Sequence, residues 1–425
     1  MLKSILLVWF CLAFTVVNAQ DGIYLTAEKV IALAKTDNLD IKREILNAEI
    51  ANAKASKAKE WWLPELFVGT QLHQLDGSGL NTDGRIFEDV DRQSRWYGGE
   101  ARVDWNIGKG IYDAKVAKLR AKSAALQSEV GKNQVTLDVL ETYYDLLVIT
   151  AKKALYEDMV ISKSNLVDQL KVQVDVGLRL SSELLIAKSN KSRLMLEKMN
   201  LEQDYQSAMS NMLISLNITE NQKLYVDIAD LKKMDVDEAT VSDSKVEDHP
   251  LIAASEFQAK AAEQQSKQVW NSIFIPNVGV GYDIGTFGEF YNTTRPTDEW
   301  NGYIGWSVPV GQLIYGGDSK IANQAKAISQ LELAQNKTII TNKITECRTK
   351  MTTYESMISL AEEGGQFAKE ALNQSKTRQE AGLGTIYEIL LAEEEYMSAQ
   401  LLYLDAVVDY NMTRFMLADA LGLKI

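Results

Sequence analysis

Residues 176–187 read VGLRLSSELLIA, and residues 381–392 read AGLGTIYEILLA. Both follow one pattern: Gly-Leu, four free positions, then Glu, three aliphatic residues and Ala. The copies lie 205 residues apart, so the chain reads as a tandem duplication. Glycine tolerates the positive φ at which one helix can stop and another begin, so each copy reads as the turn of a helical hairpin. No His, Cys or Ser–His pair accompanies either copy. The repeat is therefore architectural before it is chemical.

The duplication extends outward from these turns. Aligning Pro64 with Pro276 matches NLDIKREILNAEIANAKASKAKEWWLPEL with PLIAASEFQAKAAEQQSKQVWNSIFIPNV without a gap. RVDWNIGKG (102–110) then corresponds to IGWSVPVGQLIYGG (304–317). Each half has the same order. A lead-in helix (about 25–60, and 250–272) runs into a proline, and two strands follow, separated by a polar loop. Glycines (Gly108 and Gly110; Gly316 and Gly317) open a very long helix, and a last helix follows the Gly-Leu turn. The spacing predicts a leader over 1–19, a first repeat over 20–216, an inter-repeat segment over 217–248 and a second repeat over 249–425.

Strands are read from alternation with period two. Val278, Val280, Tyr282 and Ile284 alternate with small or polar residues, as do Ile304, Trp306, Val308 and Val310, and Val103, Trp105 and Ile107. Trp61, Trp62, Trp96, Trp105, Trp300 and Trp306 cluster at these strands, as an aromatic belt at a lipid interface would. The stretches 74–95 and 286–299 are rich in turn residues and read as exposed tips.

The helices carry heptads. Ile389, Tyr396, Tyr403, Tyr410 and Leu417 step by seven; Ala392, Ala399, Ala406, Thr413 and Ala420 do so three residues on. Leu119, Leu126, Leu140, Leu147, Ala154 and Ile161 form a similar line, interrupted by Asn133. The five prolines leave 65–249 and everything after 309 free of helix breakers. A helix from 111 to about 175 would be about 100 Å long.

The composition narrows the function. Lys3, the apolar run from Ile5 to Val17 and the small residues before position 20 form a secretory leader, with cleavage expected after Ala19. Cys11 sits inside that run behind Phe10, not at a lipoprotein junction. The rest of the chain has no apolar run of the roughly 18 residues a spanning helix needs, so any membrane crossing must use strands. The formal charge of −13, or −14 without Lys3, argues against a nucleic-acid partner. Beyond the leader only Cys347 remains, and His73 and His249 stand far apart, so neither a disulfide framework nor a metal site is expected. No phosphate-binding G-x-x-x-x-G-K-[ST] motif is present. No catalytic residues and no cofactor are expected. Four strands cannot close a membrane barrel, so strands contributed by several chains are implied.

From LTAEKVIALA (25–34) to ADALGL (418–423) the chain resembles the TolC-like outer-membrane efflux proteins. The duplicated helix–proline–strand junctions, the glycines of YGGDSK (315–320) and the two Gly-Leu turns, in repeated order, carry the likeness. The resemblance implies a mainly α fold with a small β part. Long coiled-coil helices would form a trimeric α-barrel in the periplasm. Four strands per chain would form a shared twelve-stranded barrel in the outer membrane. It implies the exit duct of a tripartite efflux or type I secretion system, a homotrimer in outer-membrane lipid. A periplasmic adaptor and an inner-membrane transporter would be its partners. By position it places adaptor docking at Gly177, Leu178, Ser182, Glu183, Gly382, Leu383 and Tyr387, and a periplasmic aperture at Glu388. Leu391 and Gly384 depart from charged positions of some relatives, and Glu393, Glu394 and Glu395 read as a solvated face. The competing reading is an exported coiled-coil interaction or stalk protein without a pore.

Overall fold

A computed structural model describes residues 22–80, 83–219, 222–235, 246–289 and 294–425. The expected leader and Cys11 lie outside the described residues. The helices are α1 (Ala27–Asp37), α2 (Leu39–Lys57), α3 (Ile107–Asp175), α4 (Ser181–Ser215), α5 (Pro250–Phe274), α6 (Val310–Tyr315), α7 (Gly317–Glu380) and α8 (Ile386–Ala420). The strands are β1 (Ile23–Leu25), β2 (Glu65–Leu80), β3 (Ile86–Asn106), β4 (Leu224–Val226), β5 (Asn277–Glu289) and β6 (Arg295–Gly305). Among the described residues no helix is long and apolar enough to cross a membrane.

The lead-in helix of the first half is two helices. Asn38 ends α1 and begins α2; its side-chain oxygen accepts from the Asp40 and Ile41 amides at 2.8 and 3.1 Å, and its amide donates to the Ser215 carbonyl at 2.7 Å. A cap residue followed by Asp is an ordinary helix start. The second half has one helix, α5, begun by His249 and Pro250.

The sheet runs β2-β3-β5-β6, antiparallel throughout, with the edges of β2 and β6 unpaired by the other strands of this chain. One hairpin comes from each repeat. Register sorts the side chains onto two faces. Leu66, Val68, Val103, Trp105, Val278, Val280, Tyr282, Ile284, Trp300 and Ile304 share one face. Glu65, Glu100, Arg102, Asp104, Asp283, Glu299, Asn301 and Tyr303 share the other. On the polar face Gly279 leaves room for the Tyr303 ring to cross it and donate to Asp104 at 2.8 Å.

The strands differ from their expected extents. Stretches 74–95 and 286–299 are largely ladder: Gln74 pairs with Gln93, Asp76 with Asp91, and β6 already starts at Arg295. These segments are mostly polar, and their few apolar residues, such as Leu75, Leu80, Ile86, Phe87 and Val90, do not alternate, so period two does not mark them. Val308 lies beyond β6, and Val310 opens α6 after Pro309. The base of each hairpin is tied in the same way. Trp105 Nε1 donates to the Trp62 carbonyl at 2.8 Å, and Trp306 Nε1 to the Phe274 carbonyl at 3.2 Å. Each acceptor lies two residues before the repeated proline. The glycines that follow do different jobs. Gly108 and Gly110 lie inside α3, where a Cβ would strike the α5 backbone and the Trp61 ring; Gly316 is a left-handed link between α6 and α7.

The 69-residue α3 is roughly 100 Å long. Its seven-step line does not stay buried. Leu140 and Leu147 are buried, whereas Ile161 is exposed. A straight helix drifts about 20° per heptad, so one line cannot face one neighbour over six steps. Asn133 has a partner: its amide donates to the Leu423 carbonyl at 3.1 Å, beyond the end of α8. The main core joins α1, α3, α4 and α8 about Leu140, Tyr143, Leu147, Met212, Val407 and Tyr410. The parallel pair β1–β4 ties the inter-repeat segment beside it, with Tyr24 stacked on Tyr225 at 5.3 Å. Burial pushes the Tyr144 hydroxyl up to about 12.

Candidate functional site at the hairpin tips

Both Gly-Leu turns end a helix in the same way. Gly177 has φ +78°, and Gly382 has φ +75°. At the first tip the Gly177 amide donates to the Val174 carbonyl at 2.9 Å and Leu178 to Gln173 at 2.8 Å. At the second, Gly382 donates to Gln379 at 3.0 Å and Leu383 to Arg378 at 2.9 Å. This is the paired-bond Schellman stop, which satisfies the last carbonyls of a helix.

The same stop occurs twice more. Gly422 (φ +75°) follows α8, with Leu423 donating to Ala418; Asn217 (φ +52°) follows α4, with Ile218 donating to Leu213. In those two the residue after the left-handed position packs against a core cluster. At the tips it does not: Leu178 is 75% exposed and Leu383 76%. The helix residues that accept their amide bonds are Gln173 and Arg378, so the apolar contact that usually completes the motif is missing.

The remaining expected positions divide. Ser182 is exposed in the first turn of α4. Glu183 is mostly buried, 3.7 Å from the Arg179 guanidinium. Tyr387 is exposed on α8. Glu388 lies in the first turn of α8, where a negative charge suits the helix dipole. Its amide donates to the Thr385 hydroxyl at 3.4 Å, and its carboxylate lies 3.4 Å from Arg378. The tips differ here, because α4 begins at Leu180 without a side-chain cap.

Two linking groups escaped the sequence reading. Arg179 of the first tip donates to the Gly384 carbonyl of the second at 2.9 Å. Gly384 is confined as well, since a Cβ would lie 3.0 Å from the Gln379 nitrogen. Farther from the tip, Glu393 does not belong to a solvated face. It is buried and paired with Lys163 of α3, while Glu394 and Glu395 are exposed. Its position just after Ala392 on the heptad seam is where interhelical ion pairs form, and that was the available signal. Between them an apolar cluster of Leu166, Leu170, Ala187, Leu372, Ile386 and Ile389 joins the two hairpins. The pair also borders a groove of about 540 Å³ between α3, α4 and α8, lined by Tyr156, Asn190, Arg193, Tyr387 and Met397.

Among the described residues no group of His, Cys, Asp and Glu is placed to hold a metal ion. Nothing at the tips pairs a nucleophile with a base. What the arrangement offers is exposed apolar knobs on rigid stops, at the far end of long helices from a two-faced sheet.

Comparison with known proteins agrees with that geometry. Residues 241–423 match the family described as outer membrane efflux protein. No curated protein matches the chain by sequence. The fold is that of the CmeC outer membrane channel of Campylobacter jejuni (TM-score 0.80, 15% identity, 93% of this chain and 85% of that one). It is equally that of VceC of Vibrio cholerae (TM-score 0.78, 16% identity, 93% and 96%). The open MtrE channel of Neisseria gonorrhoeae also matches (TM-score 0.76, 15% identity, 94% and 89%). The second repeat thus carries the outer membrane efflux protein match, and the chain as a whole has the fold of these outer membrane channels.

Proposed function

We propose that three copies of the chain form the exit duct of a tripartite efflux system, with the sheet in the outer membrane and the helices in the periplasm. The observation that carries this reading is the open-edged, two-faced sheet standing on helices roughly 100 Å long. Unpaired strand edges are not tolerated in lipid, and membrane barrels need about eight strands or more. Three copies supply twelve. Leu66, Val68, Val280 and Ile304 would meet lipid, and the charged face would line water. A stalk without a pore gives no reason for opposite faces of this kind.

Transport through the duct is passive, and the chain performs no catalysis of its own. A periplasmic adaptor docks at the tips, where Leu178 and Leu383 stand uncovered, and an inner-membrane transporter supplies the cargo. Glu388 lines the narrow aperture at which three second-repeat tips converge, and Arg378 competes for its carboxylate. The extracted protein should require detergent and sediment as a trimer. In planar bilayers it should conduct with cations favoured, and Glu388→Gln should raise conductance or weaken divalent block. A monomer that is soluble without detergent would end the duct reading. Unchanged conductance in Glu388→Gln would remove that residue from the aperture.

A further inference from the structure

On the charged face of the sheet, one row is built of glycine. Register sets Gly69 of β2, Gly98 of β3 and Gly285 of β5 side by side there. Glycine weakens a strand and marks a place where another group approaches the backbone closely. Here that group is aromatic. Phe67 stands two residues before Gly69, and a Cβ on Gly69 would lie 2.7 Å from its Cζ. Trp96 comes from the opposite side of the row, and a Cβ on Gly285 would lie 2.9 Å from its Nε1. The two ring centroids are 6.5 Å apart and the planes 21° from parallel. The glycines thus let both rings lie along the wall instead of standing out from it. Phe67 is 43% exposed, so its ring still offers a face to water.

The charge changes sign across this row. On the helix side, Phe67 shares its row with Glu100, Asp283 and Glu299. Arg102 answers Glu100 at 2.8 Å, and Asp283 accepts from the Asn301 amide at 3.3 Å. On the outer side, Trp96 shares its row with Phe287 and Arg295, and the Arg92 guanidinium lies 5.6 Å from the Phe287 ring centre. Rings packed on glycine account for the cover, but not for this division of charge. A cation coming from the helices is drawn in by the carboxylates and held back by the arginines beyond. If it is flat, it can stack at the boundary, because aromatic faces attract both planar partners and positive charge.

We propose that Phe67 and Trp96 form a stacking site for planar aromatic cations on the inner wall of the barrel. The proposal rests on the duct reading, which makes this face the lumen, and it names a class of cargo that pauses there. Full-length protein in detergent, dialysed to equilibrium against empty micelles at low salt, tests it with three probes. These are ethidium, flat and cationic; tetrapropylammonium, cationic without a ring; and pyrene sulfonate, flat and anionic. Ethidium should bind the native protein in preference to the other two. Phe67→Leu with Trp96→Leu, which keeps apolar bulk without the rings, should weaken ethidium about tenfold and leave tetrapropylammonium unchanged. Asp283→Asn with Glu299→Gln should weaken both cations, and this second pair keeps the proposal testable if the ring variant fails to fold. Ethidium uptake that ignores either pair of substitutions overturns the proposal. So does a native protein that takes up no ethidium, or one that takes up pyrene sulfonate as well. Conduction by the native protein in planar bilayers decides the duct reading separately. A conducting channel whose ethidium uptake is independent of the rings loses only the site, and ring-dependent uptake without conduction loses only the duct.

Discussion

Among the described residues the chain ends helices four times with one device, in two different settings. After α4 and α8, at Asn217 and Gly422, the next residue is folded back on a core cluster. At the tips, after Gly177 and Gly382, the next residue is left in the open. The local hydrogen bonds are the same. A Gly-Leu pair therefore says where a helix stops and nothing about what docks there. What differs is the cover: apolar Leu213 and Ala418 in the core-facing stops, Gln173 and Arg378 at the tips.

The strongest way to break this comparison is to put a Cβ on each glycine. Any L-residue in left-handed backbone costs about 1–2 kcal/mol. At Gly177 and Gly382 that is the whole cost, because nothing lies within 4 Å of an added Cβ. At Gly422 the Cβ would come 3.0 Å from Pro250 Cδ and 3.2 Å from His249 Cα. Gly422→Ala should therefore lose about 3 kcal/mol once crowding is added, against about 1 kcal/mol for Gly177→Ala or Gly382→Ala. Equal losses in chemical unfolding would show that the covered stop is no tighter than the open ones.

The uncovered leucines sharpen the comparison next. Leu178→Ser with Leu383→Ser removes two exposed side chains that support nothing within the chain. The melting temperature should hold, while adaptor binding weakens about tenfold, or ~1.4 kcal/mol, as for a modest interface anchor. Leu423→Ser should do the reverse. If the tip variant loses stability and keeps its binding, the exposed leucines are packing residues after all.

These contrasts also mark how far the sequence could be read. The duplication, the long helices and the left-handed glycines were visible because each has a local signature: a repeat, a heptad, a Gly-Leu pair. The outer halves of β2 and β3 were not, because Gln74–Gln93 and Asp76–Asp91 are polar pairs and the apolar residues between them, such as Leu75 and Val90, break the alternation. Nor was the burial of Glu393 clear. Within its run of three glutamates it looks solvated, and its partner Lys163 lies 230 residues away. Arg179 had no local cue either, since its acceptor is the backbone of the other repeat.

The two tips can be set against each other in the same way. Thr385 caps α8, whereas Leu180 opens α4 without a side-chain acceptor. Thr385→Ala should cost about 0.5–1 kcal/mol, and Leu180→Asp should return about as much to the first tip. Unfolding that ignores both changes would mean the tips are frayed and their caps idle.

The smallest effect separates covered from open stops by pH. His249 caps α5, accepting from the Leu251 amide at Nδ1 (3.1 Å), while Nε2 meets the Asp419 carbonyl at 3.1 Å. That carbonyl also receives the Gly422 amide, so His249 is part of the cover over the stop after α8. Burial lowers the His249 pKa below 6.5, and the Lys343 charge adds to this; the bond to Asp419 pulls the other way without overcoming it. The unfolded chain therefore takes up a proton at a pH where the folded one stays neutral. The stabilisation is complete above about 6.5 and drains away as pH falls further. Protonation would also remove the Nδ1 acceptor and uncap α5. Melting temperatures taken from about pH 7.5 down to about pH 5.5 should drop more steeply for the native chain than for His249→Asn, which keeps a cap acceptor but cannot titrate. Parallel slopes would free His249 of this role.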